Sequence, residues 1–368
     1  EAAPQLCMGQ LIAWGQYVIG LGLAFAVLVP LFGVNAAFGN LLEIGFEGGH
    51  GTVAGLTKTF TDFNWEAGIA LGYTMATVGM VLGITLGMAL INLAVRRGWV
   101  RNIRTFSEQT PHERIGVYPK HAQPPAGRQT VQSDSVDSLA LHVAALGLAV
   151  LIGYGLQKLL AGCNQFMPES IQNLKILTSF PLFPLCLIGG LILQKLLLLI
   201  RLDSLVDQGQ IQRLGGASLD FLVVAAVASI RLDFVLNYWM PLLLLVLGGT
   251  AWSVFMVLYA APRLFEDAWF ERAIAEFGQS LGVTATGLLL LRTVDPENRT
   301  PAAASFGYKQ LLHEPIMGGG IWTSLALVLV FTRGIGEVWL ISAGMLVLWL
   351  LFWRFALKRE PGARMKNS

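Results

Sequence analysis

Glu47-Gly48-Gly49-His50-Gly51-Thr52 and Gly282-Val283-Thr284-Ala285-Thr286-Gly287 decide how this 368-residue chain is read. Each glycine-rich break follows a long apolar stretch and precedes another. Successive glycines allow backbone turns and close approaches that a Cβ would block. Set between membrane-length segments, such breaks are the pattern of discontinuous helices that expose backbone polar groups to a bound solute.

The surrounding composition makes lipid the solvent. Hydrophobic residues make up 54% of the chain and charged residues 13%, with a mean hydropathy of +0.61. Residues 2–42 and 67–95 carry no charge at all, and each run exceeds the roughly 20 residues that cross a bilayer as helix. Continuous Leu-, Ala- and Gly-rich runs exclude a barrel of short alternating strands. The expected fold is therefore an all-α polytopic membrane protein. A net charge of +2 gives no reason to expect nucleic acid as a partner. Cys7, Cys163 and Cys186 have neither metal spacing nor a disulfide framework. No basic region with a following cleavage site opens the chain, so no signal peptide is read. The start at Glu1 without Met suggests that upstream sequence precedes it.

Full spans are expected near 11–32, 66–95, 139–160, 176–200, 236–260, 315–332 and 338–356, with a buried, interrupted or tilted helix at 217–230. If residues 38–52 and 269–291 form hairpins that return to the side they enter, and 217–232 crosses, the loops acquire a charge bias. Segments 96–138, 201–216, 261–268, 292–314 and 357–368 then hold 17 Lys and Arg, against four on the other side. That asymmetry places the central loop and C-terminus in the cytoplasm. Span, hairpin and span recur as 11–32, 38–52 and 66–95 and as 236–260, 269–291 and 315–332, a layout of two inverted repeats. The expected organisation is a first repeat at 1–95, a cytoplasmic linker at 96–138, a second repeat at 139–333, and an additional C-terminal helix and tail at 334–368. Nothing in the first repeat matches 217–230, so its counterpart is expected before residue 1, within about three preceding apolar segments.

At the first break, unwound backbone, the Thr52 hydroxyl and the His50 imidazole can meet an anion or a cation. Close helix packing with a structural His hydrogen bond is the plainer alternative. At the second break, Thr284 and Thr286 can donate to a carboxylate or offer oxygens to Na⁺; bonding to carbonyls one turn back would be the plainer role. The substrate-binding candidates are Gly49, His50, Gly51, Thr52, Gly282, Thr284 and Thr286. Ser218, Asp220 and Glu47 are the ion-coupling candidates, since a carboxylate in an apolar segment needs water, a cation or a basic partner. Asp220 could equally cap a helix start. Glu43 flanks the first hairpin, and Arg272 and Glu276 lead into the second. Lys158, Lys195 and the tryptophans fit snorkelling and interfacial anchoring. No transition-metal site is read around His50, because no second His or Cys stands at ligand spacing. A phosphate loop, a dinucleotide fingerprint and a His-Glu-x-x-His helix are all missing from the sequence, so no catalytic residues and no enzyme activity are assigned.

The string Gly48-Gly49-His50-Gly51-Thr52, the following Gly-rich span from Ala67 through Gly83, Gly216-Ala217-Ser218-Leu219-Asp220, the span 236–260 and Gly282-Val283-Thr284-Ala285-Thr286-Gly287 together resemble the bacterial sodium/glutamate symporter family. The resemblance covers roughly residues 8–333 and is strongest at the two breaks. It implies two inverted five-helix repeats, each with a discontinuous re-entrant helical hairpin, and a homodimer in the bacterial cytoplasmic (inner) membrane. It also implies symport of glutamate or a related acidic amino acid with Na⁺ as coupling ion and no further cofactor. Partners would be that anionic solute, Na⁺ and membrane lipids. This chain departs from the family pattern at Glu47, Asp220, Ala285 and Gly287 and in the extra span 338–356. A proton-coupled or exchange transporter of another small organic anion, and a non-transport membrane scaffold or receptor subunit, are the alternatives.

Overall fold

A computed structural model describes residues 2–100, 117–168, 182–228 and 232–357, apart from 124, 126 and 133. Among the described residues the chain is a multi-pass helix bundle without strands, and six helices are long and apolar enough to cross a membrane. In chain order the helices are α1 (Ala2–Phe32), α2 (Leu41–Phe46), α3 (Gly49–Asp62), α4 (Ala67–Arg96), α5 (Ser138–Cys163), α6 (Leu182–Leu199), α7 (Gln208–Ala228), α8 (Leu232–Asn237), α9 (Trp239–Leu264), α10 (Trp269–Val294), α11 (Ala302–His313), α12 (Ile321–Arg333) and α13 (Ile335–Phe352). The start of the expected span 176–200, Arg231, much of the linker and the tail from 358 lie outside the described residues.

The chain divides into two compact units, one from residues 1–103 with 229–368 and one from residues 104–228. In the first, α1 is apolar on nearly every side and is buried accordingly, against α9, α10, α11 and α13. Its inward face also carries Gln5, Gln10 and Gln16, all buried. A π-helical turn at Ala24–Leu28 precedes Pro30, and another at Met256–Ala260 precedes Pro262. Proline has no N–H to give and crowds the carbonyl four residues back, and the wider turn absorbs both effects.

α4 is the ridge on which the broken helices rest. Its buried residues Gly72, Met75, Ala76, Gly79, Gly83 and Gly87 recur every three or four positions and form one helix face. Small residues on that face let Val53, Phe46, Leu281 and Leu290 approach closely. α10 has the length of a single crossing, yet its backbone leaves helical geometry at Gly282 and Val283. A Cβ on Gly278 would stand 2.7 Å from the Cα of Gly287. Nine residues along a straight helix would separate these glycines by about 14 Å, so the two arms lie side by side.

In the second unit α5 and α6 pack closely where Gly153 meets Cys186. A polar lock ties the end of the linker to this unit. Asp207 Oδ1 accepts from Arg128 N at 3.1 Å and Gln210 N at 2.9 Å, and Gln210 Nε2 donates to Ser138 Oγ at 2.9 Å. The two backbone donors, Arg128 first, hold the Asp207 carboxyl below its ordinary range.

Three expectations shift. The described part of the apolar piece 217–230, up to Ala228, belongs to the longer α7, so Asp220 stands mid-helix and caps no helix start. The span expected from 315 begins at Ile321, after an irregular connector over residues 314–320. The expected loop 292–314 contains α11, whose Phe306, Lys309 and His313 are buried.

Candidate functional site

The two breaks meet. At the first, the N–H groups of Glu47 and Gly48 both close on Glu43 O, at 3.1 and 2.9 Å, which ends α2. Gly49 then takes φ +66°, a left-handed conformation that glycine adopts without steric cost. A Cβ on Gly49 would also collide with Cγ1 of Val283. Val283 itself holds φ +62°, which a β-branched residue rarely accepts. The strained point of α10 therefore sits directly against the glycine break of the first half. No side chain caps the start of α3, leaving its first-turn N–H groups for another partner.

Around this junction the predicted residues fall as follows. His50 Nε2 lies 3.0 Å from Thr77 Oγ1, and His50 stacks near Tyr73. Because the Thr77 hydroxyl donates to Tyr73 O at 2.9 Å, His50 Nε2 carries the proton between them. Thr52 Oγ1 bonds to Gly48 O at 2.8 Å, one turn back, and reaches Gly318 O at 3.4 Å. Thr284 Oγ1 donates to Glu314 Oε1 at 2.5 Å and accepts from Gln310 Nε2 at 2.6 Å. Thr286 is buried close to Gly282. Gly51 lies exposed in the first turn of α3. Ser218 and Asp220 are exposed on α7, in the other compact unit from the breaks.

The connector 314–320 is a third irregular segment at the same place. Glu43 accepts from Gly318 N and Thr323 Oγ1, both at 2.8 Å, and from the Tyr17 hydroxyl at 2.6 Å. Glu47 Oε1 accepts from His313 Nε2, with both side chains almost completely buried. Lys309 Nζ lies 3.0 Å from Glu276 Oε2 and donates to Gln279 Oε1 at 2.8 Å. Gln5 Nε2 donates to the other oxygen of Glu276 at 2.7 Å. Charges so far from water are tolerated only when paired and hydrogen-bonded. The breaks are thus flanked by several polar clusters drawn from α1, α2, α10, α11 and the start of α12.

His313, Lys309, Glu314, Gln10, Tyr17 and Thr323 are members of these clusters that the sequence reading left out. One signal was available. Gly318-Gly319-Gly320 is a third glycine cluster beside an apolar segment, and Gly318 and Gly319 both hold positive φ. Lys309 and His313 stand one helical turn apart, ahead of that cluster. Among the described residues no group of three His, Cys, Asp or Glu has the arrangement to hold a metal ion.

No curated protein and no solved structure matches the chain. Residues 5–294 match the sodium/glutamate symporter family, a family of transporters and not of enzymes. That match takes in both helix breaks, the glycine-faced ridge beneath them and most of the chain, and the chain belongs to the sodium/glutamate symporter family.

Proposed function

We propose that the chain is a secondary active transporter that carries glutamate or a related acidic amino acid, driven by Na⁺, through the junction of its two broken helices. The observation that carries this reading is the contact of Gly49 with Val283, which brings two helix interruptions from distant parts of the sequence to one point. α3 and the second arm of α10 both begin there. Helix N-termini present free N–H groups and positive dipole ends, which suit a substrate carboxylate. Thr284 and His50 add polar groups beside them.

Helix lengths support re-entrant hairpins. α3 has 14 residues, about 21 Å of rise, and each arm of α10 is shorter still, against about 30 Å of hydrocarbon. An internal repeat is supported by the π-turn and proline in both α1 and α9. It is also supported by a buried glutamate six residues ahead of each break, Glu43 before Gly49 and Glu276 before Gly282. Inversion of the repeats lets the two hairpins enter from opposite sides and meet at mid-depth. Proton coupling with another small organic anion is the second reading, favoured by the buried Glu47–His313 pair.

Uptake of radiolabelled glutamate into proteoliposomes of the purified chain tests the proposal. Accumulation should follow an inward Na⁺ gradient and collapse when K⁺ replaces Na⁺. Uptake indifferent to Na⁺ would overturn the coupling ion, and no uptake under any gradient would overturn the substrate.

A further inference from the structure

The Glu47–His313 contact is fixed in its protonation by two residues of α1. Trp14 Nε1 donates to Gln10 Oε1 at 2.8 Å, and an indole nitrogen can only donate. The Gln10 amide is therefore oriented with its NH₂ toward His313 Nδ1, 3.1 Å away, and Nδ1 must accept. The ring proton of a neutral His313 then lies on Nε2, where it is donated to Glu47 Oε1. His313 has no open position for a second proton, since Nδ1 faces a donor already.

Glu47 has such a position. Its Oε2 is buried and has no hydrogen-bond partner among the described residues. The elements packed around it bring one lysine and three further carboxyl groups. Glu43 lies one turn earlier on α2 and is held by Tyr17, Gly318 and Thr323. Glu314 at the end of α11 faces Glu47 as well, and Glu276 on α10 faces His313. Lys309 is the cation facing this cluster, and it is already engaged by Glu276. His50 is the other imidazole nearby and is bonded to Thr77. Four carboxyl groups thus share one paired lysine and one neutral imidazole, and a buried surplus of negative charge is costly.

We propose that Glu47 is a proton-carrying site of the transporter, taking up H⁺ at Oε2 and releasing it as access to the site changes, with His313 as a positioning residue held in one tautomer. Uptake converts a carboxylate into a neutral carboxylic acid at Oε2, while Oε1 keeps its bond from His313 Nε2; release reverses this, and no other bond forms or breaks. The proposal rests on the transport reading above. Its test does not need the substrate.

Infrared difference spectra of the full chain in lipid, taken across neutral pH, read the carbonyl stretch of a protonated carboxyl group directly. The wild type should show such a band growing as pH falls. Glu47→Gln should lose it, whereas Glu43→Gln should retain it. A band that survives in Glu47→Gln, or that vanishes only in Glu43→Gln, overturns the assignment. If Glu47→Gln does not fold, the wild type still decides, because no titrating carboxyl band there also overturns it. Trp14→Phe frees the Gln10 amide to turn and should move the titration midpoint of the same band; an unmoved midpoint overturns the tautomer lock. Adding Na⁺ at fixed pH should leave the band in place. Its disappearance with Na⁺ would make Glu47 a ligand of the metal cation and overturn the proton site. A Glu47 band in a protein that fails to move glutamate leaves the proton site standing and removes the substrate reading. Uptake with no such band does the opposite.

Discussion

Thr284 and Thr52 occupy matching places beside the two breaks, but their hydroxyl groups have different partners. Thr284 Oγ1 joins Glu314 to Gln310 across two helices, while Thr52 Oγ1 bonds mainly to Gly48 within its own turn. Thr284→Val keeps the branched shape and takes one bond from Glu314 and one from Gln310, which still meet each other at 3.1 Å; a polar group left short of a partner costs about 1–3 kcal/mol. Thr52→Val removes a bond that a helix carbonyl largely does without, so its effect on folding should be smaller. Melting of the two purified variants should rank Thr284→Val clearly below Thr52→Val. Glutamate binding should fall for Thr284→Val by roughly 5- to 150-fold, the range that this cost corresponds to. Equal melting and equal binding for both variants would show that the bridge to Glu314 is idle. Both threonines were legible in the sequence because glycine breaks mark their surroundings. Glu47 was legible as an intramembrane carboxylate, but its partner was not, since 266 residues separate it from His313 and only folding brings them together.

At the scale of elements, α10 and α11 are joined by an ion pair that neither helix shows alone. Lys309 and Glu276 are both within 2% of complete burial, Gln5 donates to the second oxygen of Glu276, and Gln279 accepts from Lys309. Removing one member of such a pair strands the other and costs about 3–5 kcal/mol, whereas removing both is far less damaging. Lys309→Met should therefore lower the melting temperature sharply, and Glu276→Gln combined with Lys309→Met should recover much of the loss, a coupling that a double-mutant cycle measures directly. Simple additivity of the two substitutions would mean that the pair contributes little. The same pair explains an error in reading the sequence. Hydropathy and charge placed 292–314 in a polar loop because Arg292, Arg299 and Lys309 are basic. Hydropathy cannot distinguish a lysine in water from a lysine held by a buried glutamate on another helix. By contrast α1, α4 and α9 were legible, because a long uncharged run of that kind has only one use in a bilayer.

Across the whole molecule, the inverted-repeat reading makes a claim about sides that the positions of the helix ends can test. A first hairpin that returns leaves the end of α1 and the end of α3 on one face of the membrane. A second hairpin of opposite entry leaves the end of α9 and the end of α10 on the other face, together with the basic linker. Phe32, Asp62, Glu266 and Glu297 are exposed near these four ends. With Cys7, Cys163 and Cys186 replaced by Ser, a single cysteine at each position can be labelled in sealed right-side-out vesicles by a reagent that does not cross lipid. Phe32→Cys and Asp62→Cys should react from outside, and Glu266→Cys and Glu297→Cys only after the vesicles are opened. Taking Lys309 out of the loops reduces the basic count on the inner side from 17 to 16, because 17 less one buried lysine leaves 16, against four outside. The bias that sets orientation therefore survives the correction. If α2 and α3 together crossed the bilayer, Phe32 and Asp62 would react from opposite sides, and two broken helices could then not enter from opposite faces to meet at Gly49 and Val283.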